Sequence, residues 1–283
     1  MKKYLILFLV TISLLYSCSS VPITGRKQLN LVSDEEVLSS SLTEYKSYIS
    51  KATISNNKTQ SEIVTRVGKR IAAATEQYLR ENNASNEIRD FSWEFNLVKS
   101  DELNAFCMPG GKIVVYEGLM KIISSDDELA VVLGHEVAHA VAKHSNERMS
   151  QQIVAQYGSN ILGSALANKS EAVQSVAGEV FGLGTQYGVM LPFSRKQESE
   201  ADYMGLILMS MAGYNPDVAI GFWKKMSASG TANIPELMSS HPSDETRIAN
   251  INKNLASIKA KYYKPATITA TPKATTTKRI LKK

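Results

Sequence analysis

The chain has 283 residues, of which 43% are hydrophobic and 21% charged, and these proportions are ordinary for one folded domain or two small ones. They exclude collagen-like and wholly disordered chains, and a count of 2 cysteines excludes a disulfide framework. The formal net charge of +5 comes from the ends of the chain, which hold Lys2, Lys3 and the eight basic residues of 259–283. Without these ten, the chain has 22 basic residues and 27 acidic ones. A nucleic-acid-binding core is therefore not expected.

The first 18 residues have the pattern of a secretory signal, with a basic start, an apolar run from 4 to 15 and small residues before Cys18. The run is shorter than the roughly 20 residues that span a bilayer. One interpretation is a plain signal peptide cleaved near Ser17. The other is a lipoprotein signal, because residues 15–18 resemble a bacterial lipobox with Cys18 as the lipidated residue. This second interpretation predicts a membrane anchor and an outer-membrane lipoprotein that faces the periplasm.

Local periodicity predicts the elements that follow. Apolar residues recur at helical spacing in 34–48 and 61–79, which predicts two amphipathic helices. Alternation predicts a half-buried strand at 91–98, and a second strand at 112–116 follows a Pro-Gly-Gly breaker. From Asp126 onward the pattern is almost entirely helical. We therefore expect an α+β domain dominated by helices, with one small sheet ahead of the central helix.

The segment from His135 to His139 has the pattern H-E-x-x-H. On a helix, residues four apart lie about 40° from each other, so both imidazoles can reach one ion, while Glu136 lies beside them where it can hold a water. The surrounding run is apolar and begins with a Ser and Asp cap at 124–128. Because such groups are costly to bury without a metal, the pattern predicts a zinc hydrolase rather than two solvated histidines.

A hydrolytic zinc site also needs a third protein ligand. A later acidic helical segment offers Glu198 and Asp202, which share a face, whereas Glu200 lies about 200° from either. We expect Glu198 to be the ligand and Asp202 to accept the N–H of a ligating histidine. Glu200 is interpreted as part of a solvated helix start. His144 is interpreted as a structural or surface residue that lies half a turn round the same helix and cannot join the ion.

The order of these motifs resembles a known family. H-E-x-x-H, then E-x-x-A-D, then H-P-x-x-x-x-R from His241 to Arg247 is similar to the zinc peptidase family of HtpX and the CAAX prenyl proteases, family M forty-eight. Three shorter segments are similar to the same family, at 104–106, 109–111 and 118–119. A fourth segment, at 22–26, resembles the periplasmic lipoprotein members of the family. The resemblance covers most of 21–255 and implies a mainly helical, gluzincin-type metalloprotease domain with a small sheet at the cleft edge.

The resemblance also implies residue roles. It agrees with Glu198 as the third ligand and with Asp202 beside it. His241 would face the metal, either stabilising the oxyanion or closing the fourth coordination position, and Arg247 would orient that region. The strand at 112–115 resembles the cleft edge to which an extended peptide adds by main-chain hydrogen bonds. The expected substrate-binding residues are Asn104, Ala105, Lys112, Ile113 and Val114.

The sequence thus predicts a zinc-dependent endopeptidase that acts on misfolded or unassembled proteins of the bacterial cell envelope. One zinc ion per chain is expected on His135, His139 and Glu198, with Glu136 as the general base. The partners would be a protein or peptide substrate and the membrane, with no nucleic acid. The alternative is an envelope chaperone or assembly factor that uses the metal fold as a binding scaffold with little turnover.

Three segments complete the expected organisation. The peptidase domain is expected from 19 to 258, and a basic, disordered tail from 259 to 283. A stretch rich in Gly and Ala at 157–191 could form a lid over the metal.

Overall fold

The computed structural model describes residues 18–185, 191–228 and 245–265, which are mainly helical with two small sheets, as the expected α+β class requires. The strands are β1 (Cys18–Ser20), β2 (Lys27–Leu29), β3 (Glu94–Val98), β4 (Ala105–Met108) and β5 (Lys112–Tyr116). A 3₁₀ helix covers Ser85–Asp90. The helices are α1 (Asp34–Lys51), α2 (Lys58–Glu81), α3 (Glu117–Met120), α4 (Asp126–Val141), α5 (His144–Leu166), α6 (Glu171–Thr185), α7 (Leu191–Met211), α8 (Val218–Ala228) and α9 (Glu245–Tyr262).

The first two helices occur where the periodicity predicts them. The start of α1 is set by Ser33, whose hydroxyl accepts the Glu36 N–H while the Glu36 carboxylate accepts the Ser33 N–H. The strand predicted from 91 begins only at Glu94. Phe91, the first residue of the predicted strand, instead ends the 3₁₀ helix, because its N–H donates to the Ile88 carbonyl.

The larger sheet has the order β3–β5–β4, with β5 parallel to β3 and antiparallel to β4. β5 is therefore the central strand, and neighbouring strands occupy both of its edges. The expectation that Lys112, Ile113 and Val114 line the cleft edge is wrong, because a peptide cannot add to a strand already paired on both sides. The edge beside α4 is β4, a strand that the alternation did not predict.

α4 is buried over most of its length. The Ser125 hydroxyl accepts the Glu128 N–H at its start, and three acidic residues in the first turn face the positive end of the helix dipole. From Leu129 to His139 every residue is buried, including the polar residues of the H-E-x-x-H motif. Water does not reach these polar groups freely, so they must find partners within the protein.

α4 and α7 touch backbone to backbone at two glycines. A Cβ on Gly205 would lie 2.8 Å from the His135 nitrogen, and a Cβ on Gly134 would lie 2.8 Å from the Gly205 carbonyl oxygen. Glycine at both positions lets the two helices approach more closely than side chains allow. The crossing lies next to His135 and brings the acidic residues of α7 over the histidines of α4.

α5 and α6 form a helical hairpin that begins directly after the end of α4 and extends into solvent. The residues of α5 that are buried all lie near its start, from His144 to Ser150, whereas Tyr157 and Ile161 are 67% and 70% exposed. The lid expected at 157–191 falls on this hairpin, apart from 186–190, which lie outside the described residues. Its role as a lid stays a prediction.

At the other end of the domain, α9 continues to Tyr262, beyond the boundary expected at 258, and Ile258 is buried. Residues 1–17 of the expected signal and 266–283 of the expected tail lie outside the described residues. Among the residues that the structure describes, none of the helices has the length and apolar character to cross a membrane.

The glycine contact between α4 and α7 yields a stability prediction. Gly205→Ala places a methyl group against rigid backbone, so we expect it to lower the free energy of unfolding by about 1–3 kcal/mol. Gly221→Ala on α8 is the matched control, because a Cβ there meets nothing within 4 Å. It should be neutral or stabilise by up to about 1 kcal/mol through helix propensity. Denaturant unfolding of both variants measures the difference, and equal stability would contradict the proposed close contact.

Candidate metal centre

His135 and His139 of α4 meet Glu198 of α7 in one buried cluster. The two Nε2 atoms are 3.1 Å apart, Glu198 Oε2 lies 3.2 Å from His135 Nε2, and Glu198 Oε1 lies 3.4 Å from His139 Nε2. Tetrahedral zinc with bonds of about 2.0–2.1 Å separates its ligand atoms by about 3.3 Å. The donor types and their spacing therefore fit a small divalent cation, and the three expected metal ligands are brought together.

Asp202 fixes the orientation of His135. Its Oδ1 lies 2.9 Å from His135 Nδ1, so the ring donates its Nδ1 proton to the carboxylate and directs Nε2 toward Glu198 and His139. Burial and Arg247 lower the pKa of His135, but hydrogen bonds to Asp202 and Glu198 outweigh them and raise it to about 9. The interaction expected between Asp202 and a ligating histidine is present in this geometry.

Arg247 of α9 holds Asp202 in turn. Its Nη2 donates to Asp202 Oδ1 over 2.7 Å and its Nε donates to Oδ2, while the guanidinium carbon lies 3.9 Å from the centre of the Trp223 ring. Burial raises the pKa of Asp202, but the Arg247 charge and the His135 hydrogen bond outweigh it and lower the pKa. The carboxylate therefore stays ionised at neutral pH and accepts the imidazole proton.

Glu136 is buried beside the two histidines and faces the edge strand. Burial and the Glu136 charge raise the pKa of the Cys107 thiol in β4, so this thiol remains protonated. The helix α4, which carries the candidate base, packs against β4, and the second edge of β4 pairs with no other strand among the residues that the structure describes. Cys107 is a small neutral neighbour of that base and lacks the thiolate that a nucleophile needs.

Two buried residues were misread from the sequence. α4 ends at Val141, and Lys143 adopts a left-handed backbone conformation with φ of 54° before His144 starts a new helix. His144 is therefore not on the same helix as His135, and its Nδ1 lies 2.7 Å from His139 Nδ1. Glu200 is buried, with Oε2 3.0 Å from His144 Nε2, so its interpretation as a solvated helix start is wrong.

No sequence signal marked the break between α4 and α5, since neither Gly nor Pro occurs at 142–143. The left-handed residue is held by distant partners instead, because the Lys143 ammonium lies 2.6 Å from both Asp34 Oδ2 and Glu87 Oε2. His241 lies outside the described residues, and its predicted role stays a prediction.

Comparisons with known proteins agree with this geometry. The model of Peptidase family M48 matches residues 65–255. The chain is 32% identical to mitochondrial metalloendopeptidase OMA1 of Schizosaccharomyces pombe, over 85% of this chain and 67% of the relative. It is 28% identical to the mitochondrial metalloendopeptidase OMA1 of Homo sapiens, over 82% of this chain but only 45% of the relative. The beta-barrel assembly-enhancing protease of Escherichia coli is 29% identical over 56% of this chain and 33% of its own length.

These relatives correct the expected location. The outer-membrane lipoprotein facing the periplasm is wrong as a prediction, because the relatives that match over more than four fifths of this chain are named as mitochondrial enzymes, whereas the Escherichia coli protease matches a shorter part. The relatives that match this chain come from eukaryotes as well as from bacteria.

The family model covers the two histidines, the glutamate that completes the cluster and the arginine that holds Asp202. The chain therefore belongs to peptidase family M48, as a metallopeptidase.

Proposed function

We propose that this chain is a zinc-dependent endopeptidase that cleaves peptide bonds within protein substrates. The observation that carries the proposal is the spacing of 3.1–3.4 Å among the Nε2 atoms of His135 and His139 and the carboxylate of Glu198. Two imidazoles and one carboxylate form the donor set of hydrolytic zinc sites, which retain an open coordination position.

Glu136 is the proposed general base. When bound, zinc would supply Lewis acidity that lowers the pKa of water from about 15.7 to about 7. Glu136 takes a proton from the attacking water and later delivers it to the leaving amine. Asp202 and Arg247 act through His135 and hold its ring in place, so they are positioning residues. His241 is proposed to face the same site.

The proposed substrate path follows the free edge of β4. The Tyr116 N–H donates to the Asn104 carbonyl over 3.1 Å, and the register pairs Ala105 with Val115. Because pairing alternates in antiparallel strands, the main-chain N–H and C=O groups of Ala105 and Cys107 are directed away from β5. An extended peptide can pair with these groups beside Glu136. Among the expected substrate-binding residues, this supports Asn104 and Ala105.

Unfolded or unassembled proteins are the proposed substrates. Main-chain pairing recognises extended backbone and makes few demands on side chains, which suits unfolded segments. The name of the Escherichia coli relative also links proteolysis to protein assembly. A scaffold with little turnover is the rival function, and the buried glutamate between two potential ligands favours catalysis.

Cys18 is the proposed lipid attachment site, through which the chain would bind a membrane. Its strand β1 pairs with β2 in the register Cys18 to Leu29, so the anchor would leave the domain from this hairpin. Stable binding to a membrane needs more than one acyl chain.

The first test of catalysis is Glu136→Gln. We expect the variant to bind zinc as wild type does, while kcat for an unfolded protein substrate falls about 10²–10⁴-fold because the general base is lost. Glu128→Gln on the same helix is the matched control, since its carboxylate pairs with Lys225 at the far end. A chelator should abolish wild-type cleavage and zinc should restore it. Retained cleavage by Glu136→Gln, or chelator-resistant cleavage, would contradict the proposed zinc mechanism, whereas zinc-loaded wild type that cleaves no substrate would favour the scaffold.

The second test concerns Asp202. Asp202→Ala should weaken zinc binding about 10–100-fold, because His135 loses the partner that fixes its ring. Asp126→Ala is the control, since Asp126 also accepts two hydrogen bonds from an arginine, Arg66, but at the surface. Competition with a chromogenic chelator measures both affinities. If the two variants bind zinc equally well, Asp202 has no positioning role.

Lipid attachment is tested with Cys18→Ala. We expect wild type to sediment with membranes and incorporate labelled fatty acid in a bacterial host that has the lipoprotein pathway. The variant should be released and unlabelled. A variant that sediments and labels like wild type rules out Cys18 as the attachment site.

A further inference from the structure

A second chain of buried polar groups runs from His139 away from the metal centre. His139 Nδ1 lies 2.7 Å from His144 Nδ1, and His144 Nε2 lies 3.0 Å from Glu200 Oε2. His144 is fully buried, and His139 and Glu200 are both buried. The His144 imidazole therefore links the ring of His139, a proposed metal ligand, to a carboxylate that the proposed catalytic machinery does not use.

The order of the groups decides the direction of each hydrogen bond. The Glu200 carboxylate can only accept, so His144 donates its Nε2 proton to it. His144 Nδ1 then carries a lone pair and accepts the Nδ1 proton of His139. His139 is left with a lone pair on Nε2, the atom that faces His135 and Glu198.

The Glu200 end of this chain of polar groups is held by the loop between β1 and β2. Arg26 Nε donates to Glu200 Oε2 over 2.6 Å, and the Thr24 hydroxyl donates to Oε1. Both terminal nitrogens of Arg26 donate to Glu147, over 2.7 and 2.8 Å, and Gln197 donates to the same carboxylate. The loop thus carries a buried cation to Glu200 from a distant part of the chain.

This arrangement parallels the one at His135. Asp202 accepts the His135 Nδ1 proton directly and is held by Arg247, whereas Glu200 acts on His139 through His144 and is held by Arg26. A buried ion pair is weak support for stability, because desolvation offsets its attraction. A positioning function requires the arrangement seen here, in which the His144 ring lies between this ion pair and the ring of His139.

We propose that His144, Glu200 and Arg26 are positioning residues for His139, and that docking of the loop between β1 and β2 through Arg26 sets the metal affinity of the site. The proposal rests on the proposed function only in requiring that the cluster bind zinc. The proposal assigns a role to residues 24–26, the Thr-Gly-Arg segment of this loop, which has no part in the proposed catalytic residues or in the proposed substrate path.

The test compares His144→Leu with His144→Gln in the purified protein. Leucine breaks both hydrogen bonds, whereas the carboxamide presents an acceptor and a donor about as far apart as the two ring nitrogens. We expect His144→Leu to weaken zinc binding about 10–100-fold, measured by chelator competition, and His144→Gln to recover most of the affinity. Unfolding of the zinc-free proteins reports any general loss of stability separately.

Arg26→Met tests the loop and also serves if His144→Leu does not fold. We expect its zinc affinity to fall about tenfold. Arg66→Met is the matched control, because Arg66 also holds an aspartate through two nitrogens but is 53% exposed, and its zinc affinity should not change. Because the residues act in series, the double variant Arg26→Met with His144→Leu should lose little more than His144→Leu alone.

Nitrogen-15 NMR of zinc-loaded wild type gives a readout independent of activity. We expect the His144 ring to carry its proton on Nε2, and a proton on Nδ1 overturns the proposal. Unchanged zinc affinity in both His144→Leu and Arg26→Met also overturns it, as does a double variant whose losses multiply. These outcomes differ from failure of the proposed function, in which wild type itself binds no zinc.

Discussion

The metal centre depends on one contact, the crossing of α4 and α7 at Gly134 and Gly205. The ligands come from two helices far apart in sequence, and the carboxylate of Glu198 reaches the histidines only because the two backbones touch. A methyl group at either glycine would separate the helices by more than the metal geometry tolerates, since the ligand atoms of zinc lie within a few tenths of an ångström of about 3.3 Å from each other.

The same crossing buries the site and thereby determines its surroundings. A buried imidazole must have a partner for its second nitrogen, and a buried carboxylate must have a compensating charge. Each histidine of the cluster meets these demands through an acid on α7 and an arginine from elsewhere: Asp202 with Arg247 for His135, and Glu200 with Arg26, through His144, for His139. Two arginines from opposite ends of the chain thus meet around one cluster, and this closes the domain around its metal centre.

Much of this site was predictable because it depends on local geometry. Residues four apart share a helical face in any α-helix, so the pairs His135 with His139 and Glu198 with Asp202 could be recognised without a fold. Periodicity likewise identified α1 and α2, since the burial of one face imposes a fixed repeat, and the Pro-Gly-Gly breaker marked the start of β5. The donor types point to a zinc hydrolase, and the order of the motifs indicates the family.

The sequence by itself therefore determined the three candidate ligands, the aspartate beside them and the class of chemistry, and only the tertiary structure decided what surrounds them. Strand order is set by pairing between distant segments, which is why β5 was taken for the edge that β4 forms. The end of α4 is set by contacts of Lys143 with Asp34 and Glu87. Because the helical pattern of the sequence continues past this point, it does not predict the break. His144 and Glu200 were misread for the same reason: their partners lie far away along the chain, and no local pattern records such contacts.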